Sequence, residues 1–142
     1  METYQAEVLV NERFHLSEGP VWDAETGVLH FVDIKGCTVN TYRLSDGQRT
    51  STEVNQNVGC FALRRQGGYI LGLTAGIYLR SEDGRRIEKL TEPVYDPMTR
   101  SNDGKCDPQG RFWCGTSDLV KGEKRGKLYL LPGDGRCIEM LD

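Results

Sequence analysis

The chain has 142 residues, 27% of them charged, with a net charge of −3, 17 glycines and five cysteines. That length suffices for one domain burying roughly 68–70% of its unfolded surface. The mixed charge, without a basic stripe or charge block, argues against nucleic acid as a partner, and apolar runs of only a few residues argue against a membrane span. The opening Met1-Glu2-Thr3-Tyr4-Gln5-Ala6-Glu7 lacks the basic and apolar regions of a secretory leader, so a cytoplasmic protein is expected.

Residues 3–10 read as one strand ahead of the first repeat. A marker then recurs. Asp23-Ala24-Glu25-Thr26-Gly27 precedes Val28-Leu29-His30-Phe31-Val32-Asp33, Arg64-Arg65-Gln66-Gly67-Gly68 precedes Tyr69-Ile70-Leu71-Gly72-Leu73, and Asp107-Pro108-Gln109-Gly110 precedes Arg111-Phe112-Trp113-Cys114-Gly115. The glycines at 27, 68 and 110 are 41 and 42 residues apart. Asp107-Pro108-Gln109-Gly110 has the residues of a type I turn. A second marker follows each time: Asp46-Gly47, Asp83-Gly84 and Asp134-Gly135, each preceded by a tyrosine-bearing strand. Fourth strands are expected near 50–54, 86–90 and 136–141.

Each unit reads as four strands at a period near 40 residues, the signature of β-propeller blades. The expected fold is all-β: blade one at about 18–55, blade two at about 58–94 and blade three at about 101–142. Propellers have 4–8 blades, so three blades are expected to be about half of a ring. Trp22 and Trp113 are expected in the core between blades. His15 and His30 are given no role.

No Cys-x-x-Cys pair occurs among Cys37, Cys60, Cys106, Cys114 and Cys137, which excludes zinc ribbons and thioredoxin-like motifs. Largely buried thiols are the expectation, with a Cys106–Cys114 hairpin bridge as the alternative. Serine-nucleophile elbows, zincin helices, phosphate loops and dinucleotide fingerprints are absent.

In a propeller the first strand of each blade lines the channel. Glu18 stands nine residues and Asn102 eight residues before its turn glycine, so Glu18, Arg100, Asn102 and Asp103 are expected to face one mouth. Glu18 suits a hard cation or is a solvated loop residue. Arg100 offers a planar fork of donors or is a surface arginine. Asn102 suits sugar hydroxyls or a carbonyl, and Asn102-Asp103-Gly104 is also ordinary turn chemistry.

Ser17-Glu18-Gly19-Pro20-Val21-Trp22-Asp23, Leu29-His30-Phe31-Val32-Asp33-Ile34, Ala62-Leu63-Arg64-Arg65-Gln66-Gly67-Gly68-Tyr69 and the stretch from Arg100-Ser101-Asn102-Asp103-Gly104 to Phe112-Trp113-Cys114-Gly115-Thr116 resemble the regucalcin/gluconolactonase (senescence marker protein) family. The resemblance implies a six-bladed propeller that uses one divalent cation (Ca, Zn, Mn or Mg) to hydrolyse sugar lactones. It implies Glu18 as a metal ligand and Arg100 and Asn102 as substrate-binding residues. Asp118 is an approximate stand-in for a substrate-contacting glutamate. The family's other ligands, an Asn and an Asp that also serves as acid/base, would fall in the second half of the ring, so no catalytic residue is expected within this chain.

Two functional expectations follow: a metal-dependent lactonase by lineage, or a catalytically silent calcium-binding or interaction half-propeller. Pairing of two chains to complete the ring is a further expectation.

Overall fold

The computed structural model describes residues 2–92, 96–120, 122–123 and 125–141. Among them are twelve strands and no helix. Blade one is β1 (Ser17–Asp23), β2 (Val28–Asp33), β3 (Thr38–Arg43) and β4 (Arg49–Glu53). Blade two is β5 (Val58–Leu63), β6 (Tyr69–Leu73), β7 (Gly76–Arg80) and β8 (Ile87–Thr91). Blade three is β9 (Thr99–Cys106), β10 (Phe112–Asp118), β11 (Leu128–Leu131) and β12 (Ile138–Leu141). Each is an antiparallel sheet whose strands are adjacent in chain order.

The repeat has a physical origin in its turns. Asp46, Asp83 and Asp134 each accept, through Oδ1, the backbone N–H two residues on, at 2.9, 3.0 and 3.1 Å. That Asx-turn reverses the chain between the third and fourth strands of every blade. The following Gly47, Gly84 and Gly135 have φ of 70°, 71° and 83°, a region that side chains disfavour. The β9–β10 turn forms as the sequence predicts: Gly110 donates its N–H to the Asp107 carbonyl at 2.9 Å. Asp107 also accepts from Trp113 Nε1 at 3.0 Å and Arg111 Nε at 2.6 Å. The Trp113 donor, with the Arg111 backbone and guanidinium, outweighs partial desolvation and holds the carboxyl down at about 2.

Blade two is the middle layer. Val32, Ile34, Phe61, Leu71 and Leu73 form the apolar seam with blade one, and Cys60, Ile77, Phe112, Cys114 and Leu131 the seam with blade three. Burying each of the larger side chains contributes about 1.5–3 kcal/mol.

Three expectations are corrected. Residues 3–10 form no strand and are exposed up to Leu9; residues 9–14 instead run along blade one, where Phe14 meets Phe31 edge-on at 5.1 Å and Glu12 pairs with Arg49. Trp22 is 51% exposed and Trp113 half-buried. Both point away from blade two, because the strand register puts Val21 and Cys114 on the inward face. Finally, no Cys106–Cys114 bridge forms. Cys106 is exposed and sits opposite Phe112, whereas Cys114 sits opposite Gly104; its sulfur lies 3.6 Å from that of Cys60, in the next blade.

His30, unassigned from sequence, is buried in the first seam beside the rings of Phe61 and Tyr69. Its Nδ1 shares a 2.9 Å hydrogen bond with the Tyr69 hydroxyl, and Nε2 is buried with no hydrogen-bond partner. Burial lowers its pKa below 6.5, against the pull of Asp23. The unfolded chain therefore takes up the proton first as pH falls. The stability that neutral His30 contributes is full above about pH 6.5 and is lost as pH drops through its folded value. The urea midpoint is expected to fall between pH 7 and pH 5.5, and His30→Phe to flatten that slope; an unchanged slope would remove His30 as its source.

Candidate functional site

The inner strands β1, β5 and β9 lie side by side, β5 in the centre. Each carries a bulge near its start. In β1, Glu18 pairs with Val32 and Val21 with His30, so Gly19 and Pro20 together oppose Phe31. In β5, Gly59 is the extra residue between Val58 and Cys60. In β9, Ser101 pairs with Thr116 and Gly104 with Cys114, so Asn102 and Asp103 together oppose Gly115. A bulge leaves residues outside the ladder and re-aims their side chains. Gly19 takes φ of 58°, which suits glycine at this bend.

Ser101 fixes the junction between blades two and three. It is fully buried, donates its hydroxyl to the Gly72 carbonyl at 2.6 Å and accepts the Gly59 N–H at 3.2 Å. The residues on either side of it are the two substrate-binding candidates. Arg100 Nη1 donates to Asn102 Oδ1 at 2.9 Å and to the Ser101 carbonyl at 2.8 Å. Burial lowers the Arg100 pKa, and the charge of Glu18 opposes that shift. Asn102 accepts from Arg100 through its oxygen, which turns its donor end away from the guanidinium.

The structure thus brings Glu18, Arg100 and Asn102 to the same end of the inner strands. Asp103 is exposed there and accepts the Gly104 N–H at 2.8 Å. Asp118 is not brought to them. It pairs with Thr99, on the face opposite Arg100 and Ser117, and its Oδ1 accepts the Arg125 N–H at 2.9 Å.

Glu18 is exposed, and among the described residues no three His, Cys, Asp or Glu side chains are grouped to hold a metal ion. Hard cations take six or more oxygen ligands, so one carboxylate does not fit a complete centre, and no chemical step is assigned to a cation here. Also among the described residues, no helix is long and apolar enough to cross a membrane.

Two groups missed by sequence reasoning support this end of the molecule. One is the buried Ser101. The other is Asp33, whose carboxylate accepts the N–H groups of His15, Leu16 and Gly36 at 2.9, 2.8 and 3.0 Å and so ties the approach to β1 to the end of β2. An aspartate closing a strand before Ile34-Lys35-Gly36 was the available signal.

Four-stranded antiparallel blades with their inner strands side by side define a chain of the β-propeller class. A family model described as the SMP-30/gluconolactonase/LRE-like region matches residues 16–142, and the chain belongs to that family. It is 37% identical over 126 residues to 6-deoxy-6-sulfogluconolactonase of Pseudomonas putida, covering 88% of this chain and 43% of that one. It is 32% identical over 148 residues to regucalcin of Xenopus laevis, covering 100% and 50%. The crystal structure of a calcium-binding protein, regucalcin from Agrobacterium tumefaciens, superposes with a TM-score of 0.87 at 24% identity, over 94% of this chain and 45% of that one. The chain spans about half the length of the curated relatives it matches.

Proposed function

We propose that this chain forms the substrate-orienting wall of a sugar-lactone hydrolase, with Glu18 as one ligand of a divalent cation and Arg100 and Asn102 as donors to the lactone. The observation that carries this reading is the preformed Arg100–Asn102 pair at the β9 bulge, within the field of Glu18. With Nη1 engaged by Ser101 and Asn102, the guanidinium is fixed in plane. Its remaining N–H groups and the Asn102 amide then suit the oxygens of a polyhydroxylated ring. Such positioning lowers the entropy of reaching the attack geometry. In the hydrolysis, the oxygen of water bonds to the lactone carbonyl carbon, the ring C–O bond breaks, and the ring oxygen takes the proton. The carboxylate that manages that proton is placed outside this chain.

The second reading is a cation-binding or interaction module without turnover. Gluconolactone hydrolysis by the purified 142-residue chain, with Ca, Zn, Mn or Mg and then a chelator, separates the two. Chelator-sensitive turnover would carry the lactonase reading, and Arg100→Ala should then lower it by about 10–100-fold, the loss of one charged hydrogen-bonding group. No turnover above the spontaneous rate by a folded chain would leave the second reading. A calcium titration in which Glu18→Gln abolishes binding would then identify that module.

A further inference from the structure

Two sulfurs meet inside the seam between blades two and three. Cys60 lies on the inner strand β5 and Cys114 on β10, 2% and 0% exposed, and their Sγ atoms stand 3.6 Å apart. Neither is in a disulfide. Both blades that make this seam have all four strands in the described chain, so the contact is complete within it.

The backbone around the pair is cut back to make room. Gly72 on β6 and Gly104 on β9 face it from two further strands. A Cβ on Gly72 would stand 2.6 Å from Cys60 Sγ and 3.0 Å from Cys114 Sγ, and one on Gly104 would stand 2.6 Å from Cys60 Sγ. A larger residue at either place would drive the sulfurs from their positions. The side chains packed with them, Ile77, Phe112 and Leu131, are apolar.

From this arrangement we infer that Cys60 and Cys114 are an oxidative modification site: hydrogen peroxide converts them to a disulfide that staples blade two to blade three. One sulfur, as thiolate, attacks a peroxide oxygen. The O–O bond breaks, a sulfenic acid forms, and the departing hydroxide takes up the thiol proton as water. The second thiol sulfur attacks the sulfenic sulfur, so the S–S bond forms, the S–O bond breaks and a second water leaves. The two thiols give up two electrons and two protons, and one peroxide becomes two waters. The sulfurs have to close from 3.6 Å to about 2.05 Å. The hydrogen-bonded Cys114 thiol and burial push the Cys60 thiol well up, so thiolate is scarce and the oxidation is slow, gated by opening of the seam. Strands β5 and β10 are the two neighbours of β9, so the bond brackets the strand that carries Arg100 and Asn102. The inference rests on the sulfur contact, not on the proposed activity.

The test treats the full chain with hydrogen peroxide under native conditions, blocks the remaining thiols with iodoacetamide and maps the peptides by mass. The expected result is a cross-linked Cys60–Cys114 peptide pair, with about 2 Da lost from the chain by its formation, reversed by dithiothreitol. The two cysteines are 54 residues apart, so the staple should raise the urea midpoint, with the folding equilibrium shifted about 30- to 1,000-fold. Cys60→Ala and Cys114→Ala should each abolish both effects, and Cys106→Ala, at an exposed thiol, should leave them intact. The map is made on the unsubstituted chain, so it stands whether or not those variants fold. A link through Cys137, which packs on the same cluster, would overturn the inference. So would Cys60 and Cys114 still reduced while Cys106 takes up oxygen, or a Cys60–Cys114 link that leaves the midpoint unmoved.

Discussion

Gly59→Ala is expected to destabilise the chain by about 3 kcal/mol, among the largest effects of any single methyl group in this fold. A Cβ at this position would stand inside contact distance of the Ser101 carbonyl group and 2.6 Å from the Asn102 nitrogen. Both are backbone, so no rotamer change relieves the contact. Strand β9 would have to move, and the Ser101 hydroxyl would lose the Gly59 N–H. The urea midpoint measures the loss. Gly27→Ala serves as the comparison: its Cβ would meet nothing within 4 Å, and only the φ of 66° is unfavourable, so about 1 kcal/mol is expected. Equal effects at the two sites would refute the crowding at Gly59. Because Arg100 and Asn102 flank Ser101, any folded Gly59→Ala protein should also show a displaced binding pair.

The second large effect is expected from Asp33→Ala. Removing this carboxylate leaves three backbone N–H donors without their acceptor at the approach to β1. Hydrogen bonds to a charged group contribute about 1.5–3 kcal/mol each when isolated, and three that share one carboxylate should together be worth about 3–4 kcal/mol. Burial raises the Asp33 pKa, but the N–H groups of His15, Leu16 and Gly36 outweigh it and the net shift is downward. The contribution is therefore full above the unfolded value near 3.9 and is lost as pH falls through the lower folded value. Urea unfolding at pH 7 and pH 3 measures both. The wild-type advantage over Asp33→Ala should be large at pH 7 and shrink in acid; an advantage independent of pH would mean packing alone.

The blade architecture was legible because its punctuation is local. Asp46, Asp83 and Asp134 each build their turn from residues two apart, and the alternation of buried Phe112 and Cys114 with half-buried Trp113 needs only its own neighbours. The candidate site was partly legible for the same reason: Glu18 and Asn102 stand nine and eight residues before their turn glycines. What could not be read depends on partners distant in the chain. The bulges at Gly19-Pro20, Gly59 and Asn102-Asp103 appear only when two strands are in register. The Cys60–Cys114 contact and the Ser101 bonds to Gly59 and Gly72 cross between blades. Trp22 and Trp113 look like core residues by type, but the core is set by which face meets blade two. Residues 3–10 have strand composition, yet they pair with none of the described strands.

Blade two is packed on both faces, whereas blades one and three are each packed on one. Every blade is also built from consecutive strands, so each can open without unthreading the others. Backbone amides in β6 and β7 should then exchange with solvent deuterium last, and those in β4 and β12 first, in a graded release from the outside inward.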